Sequence, residues 1–121
     1  MALVYPDGKD RLYVLGYRGR IYKVVRKYSS ATLLKFEDLL GLLTRKYGTS
    51  SDASVFPGYA RSQASKIGAI RRGDGRAAYV WQPQGQQWRI LLSWTREFGV
   101  AVEYIAEHLS GAKQLQEESG L

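Results

Sequence analysis

Hydrophobic positions follow helical spacing most clearly between residues 33 and 47. Apolar residues recur there every three or four positions, which is the spacing of one face of an α-helix. They are Leu33, Phe36, Leu40, Leu43 and Tyr47. Ser and Thr residues that can cap a helix precede the run, and Gly48 closes it. The pattern predicts an amphipathic helix over 33–47. Leu34 and Leu42 lie outside its main stripe, which favours contact with a partner subunit and predicts a homo-oligomer, a dimer or tetramer.

A second helical pattern runs from 60 to 72. Its apolar stripe is narrow and consists of Ala60, Ala64, Ile67 and Ile70. Arg61, Ser65, Gly68 and Arg72 share another side. A face of small residues with arginine at each end would let a phosphate chain approach closely, and Lys66 and Arg71 add to its charge. An ordinary solvated helix face is the alternative.

Two regions predict β-hairpins. Residues 11–15 and 21–26 are rich in branched and aromatic side chains, and the stretch between them contains two glycines together with Arg18 and Arg20. Residues 77–81 and 88–94 flank a polar loop with Pro and Gly. Side chains alternate along a strand, so Tyr79 and Trp81 share one face.

The second hairpin combines aromatic and basic side chains. Trp88, Ile90, Leu92 and Trp94 share one face of its second strand, with Arg89 between them and Arg71, Arg72 and Arg76 just upstream. Aromatic rings that stack on bases, together with arginines that neutralise phosphates, are typical of single-strand binding surfaces. At least one of the three tryptophans is expected to pack in the core.

After Trp94 the apolar residues again follow helical spacing. They are Phe98, Ala101, Val102, Ile105, Leu109 and Ala112. The sequence therefore predicts an α+β fold: a four-stranded antiparallel sheet of two hairpins, packed with two central helices and a C-terminal helix. Residues 1–110 would form a single nucleic-acid-binding domain, and residues 111–121 a polar C-terminal tail.

Charge is distributed unevenly along the chain. The net charge of +7 divides into +5 for residues 1–30, 0 for 31–60, +6 for 61–96 and −4 for 97–121. Two basic segments favour a polyanionic partner, with nucleic acid ahead of an anionic membrane. A surface rich in ions, of the kind found in thermophiles, is the alternative. No run approaches a membrane span, and Asp7 and Lys9 come too early for a signal peptide, so a cytoplasmic protein is expected.

Residues typical of catalysis are sparse. The chain has no Cys and one His, His108, which argues against a zinc site. The basic regions hold almost no acids that could bind a catalytic metal, and no phosphate-binding glycine motif is present. We therefore expect a binding protein without metal or cofactor rather than an enzyme.

The order of elements and the basic-aromatic stretch 71–94 resemble those of the ThermoDBP-related archaeal single-stranded DNA-binding proteins. The resemblance covers residues 11–109 and rests on no sharp motif. It implies sequence-tolerant binding of single-stranded DNA, favoured over RNA, in a cleft between sheet and helices, and assembly into oligomers. The longer members carry a zipper-like C-terminal helix, for which this chain has too few leucines.

Two other interpretations stay open. In a winged-helix duplex-DNA binder, residues 59–72 would enter the major groove and residues 76–94 would form the wing. A protein-interaction module would use the same aromatic side chains as an interface. For nucleic acid, the expected contact residues are Arg18, Arg20, Arg61, Lys66, Arg71, Arg72, Arg76, Tyr79, Trp81, Trp88 and Arg89.

Overall fold

The computed structural model describes residues 2–106, which form seven strands and two helices. In chain order these are β1 (Ala2–Asp7), β2 (Asp10–Tyr17), β3 (Arg20–Lys27), α1 (Leu33–Tyr47), β4 (Ser51–Asp52), α2 (Gln63–Arg72), β5 (Ala77–Trp81), β6 (Trp88–Thr95) and β7 (Gly99–Ala106). The strands form one antiparallel sheet in the order β1-β2-β3-β7-β6-β5-β4.

Two-residue turns build the first half of the sheet. Gly8 and Lys9 connect β1 to β2, with Gly8 at φ 63°. Arg18 and Gly19 connect β2 to β3 and both have positive φ, 51° and 77°. Positive φ at both central residues gives a turn whose twist matches that of the flanking strands. Arg18 and the neighbouring Arg20 are thereby placed at the exposed tip of this hairpin.

After β3 the chain runs to the far edge of the sheet and then turns back towards its centre. It passes through α1, the short edge strand β4 and α2, and then enters β5. From β5 it runs back towards the centre through β6 and β7. Tyr104 of β7 pairs with Val24 on one side and with Ile90 on the other, so the last strand joins the two halves of the sheet.

The core lies between the helices and the second half of the sheet. α1 contributes Phe36, Leu39 and Leu43, and α2 contributes Ile70. The sheet contributes alternate residues of its central strands, which are Ala77, Trp81, Ile90, Leu92, Trp94, Val100 and Val102. The strand alternation expected for residues 88–94 and the helix over 33–47 are both confirmed. Leu34 and Leu42 are 71% and 52% exposed, outside the packed face as expected.

The expected fold class is wrong. The described chain is a seven-stranded sheet with two helices, and residues 99–106 of the expected C-terminal helix form β7. Val100 and Val102 are buried, and so are Ala101 and Ile105 on the opposite face. A central strand buried on both faces is apolar throughout, so its sequence does not alternate and can imitate a helical stripe. Residues 107–112 of that helix, and the predicted tail 111–121, lie outside the described residues.

Smaller differences arise at the edges. β1 and β4 were not predicted, because neither has a buried face that would impose alternation. α2 begins at Gln63 rather than at residue 60, because Ser62 caps it. Within residues 2–106, no helix has the length and apolar character needed to cross a membrane.

Candidate nucleic-acid interface

α2 is short and well capped. The Ser62 side chain accepts a hydrogen bond from the backbone N–H of Ser65 at 3.1 Å, and the Ser65 hydroxyl accepts one from the N–H of Ser62 at 3.0 Å. At the other end Gly73 adopts the left-handed conformation and donates to the carbonyl of Ile70 at 3.0 Å. Reciprocal caps satisfy the free backbone groups of both ends. The helix is therefore stabilised although it buries only Ala69 and Ile70, and its outer face stays in solvent.

The outer face of α2 and its flanks form a cationic surface. We define the α2 cationic surface as Arg61, Arg71, Arg72 and Arg96, all of them exposed. Residues 59–76 contain five cations and a single acid, Asp74, which gives a net charge of +4. Within the described part of the chain, only Arg72 of this set takes part in a salt bridge. The other arginines of the set form no salt bridge within residues 2–106, which favours a positive potential over the surface.

Arg72 is held in place by its neighbours. Its guanidinium donates to the Tyr59 hydroxyl at 3.0 Å and approaches Asp74 at 3.4 Å, and the Tyr59 hydroxyl donates to Asp74 at 3.0 Å. The guanidinium lies 5.6 Å from the centre of the Tyr59 ring. Arg96, which comes from the turn after β6, donates to the backbone carbonyl of Arg72 at 3.1 Å. Hydrogen bonds thus hold Tyr59, Arg72 and Arg96 together at the C-terminal end of α2.

A cleft opens between α1 and α2 above β5 and β6. We call it the interhelical cleft; its volume is about 630 Å³. Aromatic side chains form much of its wall, namely Phe36, Phe56, Tyr79 and Trp94. Phe36 packs against both Tyr79 and Trp94, with ring centres 6.0 and 5.8 Å apart. The volume falls within the range of small-molecule sites, and the aromatic wall suits a flat ring.

Polar groups of both signs line the same cleft. The Gln63 amide of α2 donates to the Glu37 carboxylate of α1 at 3.1 Å. Lys66 lies 5.5 Å from the centre of the Phe56 ring. Hydrogen bonds from the side chain and backbone of Ser54 hold the pKa of Asp52 below its usual value, so this carboxylate is ionised at neutral pH. Two carboxylates and one ammonium leave the lining net negative.

Burial raises the pKa of Tyr79 above its usual value, and the nearby Asp52 acts in the same direction. The Tyr79 phenol is therefore neutral at physiological pH and keeps its proton. It offers a donor beside the acceptors of Glu37 and Asp52.

Phe56 is positioned by the absence of a side chain at Gly75. A Cβ added to Gly75 would lie 2.7 Å from Cδ1 of Phe56 and 3.2 Å from the carbonyl oxygen of Val55. The loop carrying Phe56 is held against this position by hydrogen bonds between Val55 and Arg76 in both directions. A glycine at 75 is therefore what allows the Phe56 ring to form one wall of the cleft.

The expected contact residues do not gather at one place. Arg61, Arg71 and Arg72 belong to the α2 cationic surface, and Lys66 and Tyr79 line the interhelical cleft. Arg76 pairs with Val55 and alternates with the cleft residue Ala77, so it lies on the opposite face of the sheet. Arg18 and Arg20 lie at the tip of the β2–β3 hairpin. Arg89 points to the face of the sheet opposite the helices, because it alternates with Trp88 and Ile90.

The expectation that Trp81 stacks on a base is wrong, because Trp81 lies in the core. Its side chain is 1% exposed, and its indole N–H donates to the carbonyl of Gly48 at 2.9 Å. Trp94 is also buried. Trp88 is half-buried, stands edge-on to Tyr47 with ring centres 5.8 Å apart, and lines a separate groove of about 320 Å³. The core cluster that packs against α1 therefore includes all three tryptophans, two of them as buried members.

Sequence patterns did not indicate three residues of the interface, Phe56, Tyr59 and Arg96. Phe56 and Tyr59 follow a polar loop and carry no periodicity, although aromatic residues flanking Pro57-Gly58 were a signal of an ordered loop. Arg96 was counted only in the charge total. Contacts across 13 to 24 positions of sequence bring these residues to α2, and no local pattern encodes such contacts.

No group of three or more metal-binding side chains occurs among residues 2–106. Comparison with known proteins found no matching family model, no matching curated protein and no matching solved structure. The resemblance to the ThermoDBP-related proteins thus stays a prediction.

Proposed function

We propose that this protein binds single-stranded nucleic acid, with phosphates on the α2 cationic surface and unpaired bases in the interhelical cleft. The observation that carries the proposal is the position of α2. Within residues 2–106, Asp74 is the only acid in a salt bridge with the arginines on the outer face of α2, and its inner face supplies Gln63, Lys66 and Ile67 to an aromatic cleft. One helix therefore separates a surface suited to phosphate from a cavity suited to a base.

The distribution of charge assigns the two parts of a nucleotide to the two sides of α2. Phosphate is attracted by the outer arginines, which can donate two parallel hydrogen bonds to its oxygens. The ionised Asp52, together with the Glu37 side chain, disfavours phosphate in the cleft. A base is uncharged and carries both donors and acceptors, so it matches a lining that offers both. Its flat ring can pack against Phe56 and Tyr79, as bases do on aromatic side chains.

A recessed cleft favours single strands over duplex. Bases in a duplex are stacked and paired, and would have to be extruded before they could enter a space between two helices. The β5–β6 hairpin, expected as the wing of a winged-helix protein, is paired with β4 and β7 inside the sheet. This pairing argues against the hairpin inserting into DNA as a wing. An exposed α2 could still lie in a groove, so duplex binding is the second candidate. The preference for DNA over RNA follows only from the resemblance.

Salt titration tests the proposal directly. We expect the affinity for an oligo-dT to fall steeply with salt, with a slope of about −0.7 per contacted phosphate. Fluorescence anisotropy with labelled single-stranded DNA, the matching RNA and a duplex of equal length gives all three affinities under one condition. A salt-independent affinity would contradict phosphate binding, and duplex binding as tight as that of the single strand would favour the second candidate.

Gly75→Ala separates the base contact from the phosphate contacts. The added methyl group must displace Phe56, so we expect weaker binding of oligo-dT with an unchanged salt slope, together with a loss of stability of about 1–3 kcal/mol. Gly41→Ala is the matched control, because Gly41 is not part of the cleft lining, its added Cβ would meet only the Arg45 guanidinium at an ordinary 3.5 Å, and it has no positive φ. Unchanged affinity in a folded Gly75→Ala variant would exclude a role for the Phe56 wall.

A further inference from the structure

Among residues 2–106, β1 forms an open edge of the sheet, with apolar side chains on both faces. All six of its residues are exposed, and Leu3, Val4 and Tyr5 are 41%, 54% and 47% exposed. Edge strands normally avoid pairing with other chains through short length, charged side chains or irregularity. Apart from Pro6, β1 has none of these protections along its central residues.

The opposite edge is protected. β4 has two residues, both polar, and the chain beyond it makes only an isolated bridge between Val55 and Arg76. The edge at β4 therefore disfavours pairing with another chain, whereas the edge at β1 allows it. This difference indicates that β1 is covered in the functional molecule.

The turn between β1 and β2 determines which backbone groups of β1 are free. A two-residue turn is closed by a hydrogen-bonded pair, here Asp7 and Asp10, and such pairs alternate along an antiparallel ladder. Leu3, Tyr5 and Asp7 therefore bond to β2. Ala2, Val4 and Pro6 direct their backbone groups outward, and Pro6 has no N–H to donate.

We infer that β1 pairs with β1 of a second copy of this chain, in antiparallel orientation about a twofold axis through Val4. Each Val4 then exchanges two hydrogen bonds with Val4 of the other copy, and each Ala2 N–H donates to the Pro6 carbonyl opposite it. In this register the Ala2 carbonyl opposite Pro6 receives no hydrogen bond, because Pro6 has no N–H, and each strand therefore loses a single bond. Leu3 faces Tyr5 on the helix side of the sheet, and such apolar pairs across strands are stabilising.

The near absence of charge along β1 favours a second copy over a partner of opposite sign. The chain carries +7, so two copies repel each other over most of their surfaces. Asp7 is the one charged residue of β1, and it is paired with Arg26 at 2.9 Å. An uncharged, self-complementary strand is where two such molecules can approach without repulsion, whereas an acidic partner would find no cation on β1.

The pairing has a consequence for the arrangement of the helices. A twofold axis perpendicular to the sheet leaves the helices of both copies on the same face of a continuous fourteen-stranded sheet. Two α2 cationic surfaces would then face the same side. A single polyanion long enough to reach both would gain from their combined contacts.

Sedimentation equilibrium of the chain without nucleic acid tests the inference, with any affinity tag placed at the C-terminus so that β1 stays unobstructed. We expect twice the monomer mass at micromolar concentration. Val4→Pro removes an outward N–H and no bond to β2, and is expected to give a monomer with an unchanged circular dichroism spectrum. Val4→Ala keeps the N–H and is expected to remain dimeric.

Val4→Lys provides a second route if the proline variant does not fold. It places two like charges opposite each other at the axis, and we expect at least a tenfold increase in the dissociation constant that is reduced by added salt. A monomeric wild-type chain at high micromolar concentration would overturn the inference. So would a dimer that persists in folded Val4→Pro or Val4→Lys, since the contact would then lie elsewhere, for instance at Leu42.

Discussion

Replacing Trp81 with Ala is expected to lower the free energy of unfolding by about 3–5 kcal/mol, because it removes the largest fully buried side chain of the core. The indole packs beneath α1 and donates to the carbonyl of Gly48, the residue that ends this helix. The substitution therefore leaves a cavity and also removes the donor to that carbonyl. Chemical denaturation followed by circular dichroism measures the change.

Two further variants divide this effect into its parts. Trp81→Phe keeps most of the ring volume but lacks the N–H, so we expect a smaller loss, in which the hydrogen bond accounts for about 1 kcal/mol. Trp88→Ala removes the same side chain from a half-buried position and is expected to cost less than Trp81→Ala. If Trp81→Ala kept wild-type stability and instead weakened oligonucleotide binding, the buried position of Trp81 would be contradicted.

Neutralising part of the α2 cationic surface is expected to weaken binding of single-stranded DNA on the order of 100-fold at moderate salt. The variant carries Arg61→Gln, Arg71→Gln and Arg96→Gln, three exposed arginines that have no salt bridge within residues 2–106. At about 1 kcal/mol for each exposed cation, three of them contribute about 3 kcal/mol. The salt slope should also become shallower by about 2, which corresponds to three phosphates. Arg72 is left in place because Tyr59 and Asp74 depend on it.

A matched variant removes the same charge from the other basic segment. Arg11→Gln, Arg18→Gln and Arg20→Gln change three exposed arginines, which lie on β2, in its turn with β3 and at the start of β3, and leave α2 untouched. We expect a modest decrease in affinity from the lower net charge, with little change in slope. An equal effect of both triple variants would show that binding follows net charge rather than a defined surface. A larger effect of the second variant would move the site to the β2–β3 hairpin.

Local sequence was sufficient for the elements whose pattern is local. α1 was predicted with its observed boundaries, because one of its faces is buried and the other solvated, which forces apolar residues into helical spacing. The hairpins were placed correctly because glycines mark their turns, as at Gly19, where positive φ is required. The concentration of cations around α2 was likewise visible along the chain. These features depend on neighbours a few residues apart.

The tertiary structure alone decided which segments are central and which side chains are hidden. β7 is a strand because β3 and β6 supply hydrogen bonds on both of its sides, a condition set by residues tens of positions away. Trp81 and Trp88 carry the same side chain, yet α1 buries one and leaves the other half-open. Phe56 and Tyr59 gained their places at the cleft and at Arg72 through contacts with Gly75 and Asp74. Burial depends on what packs opposite a residue, and a linear pattern records only the residue itself.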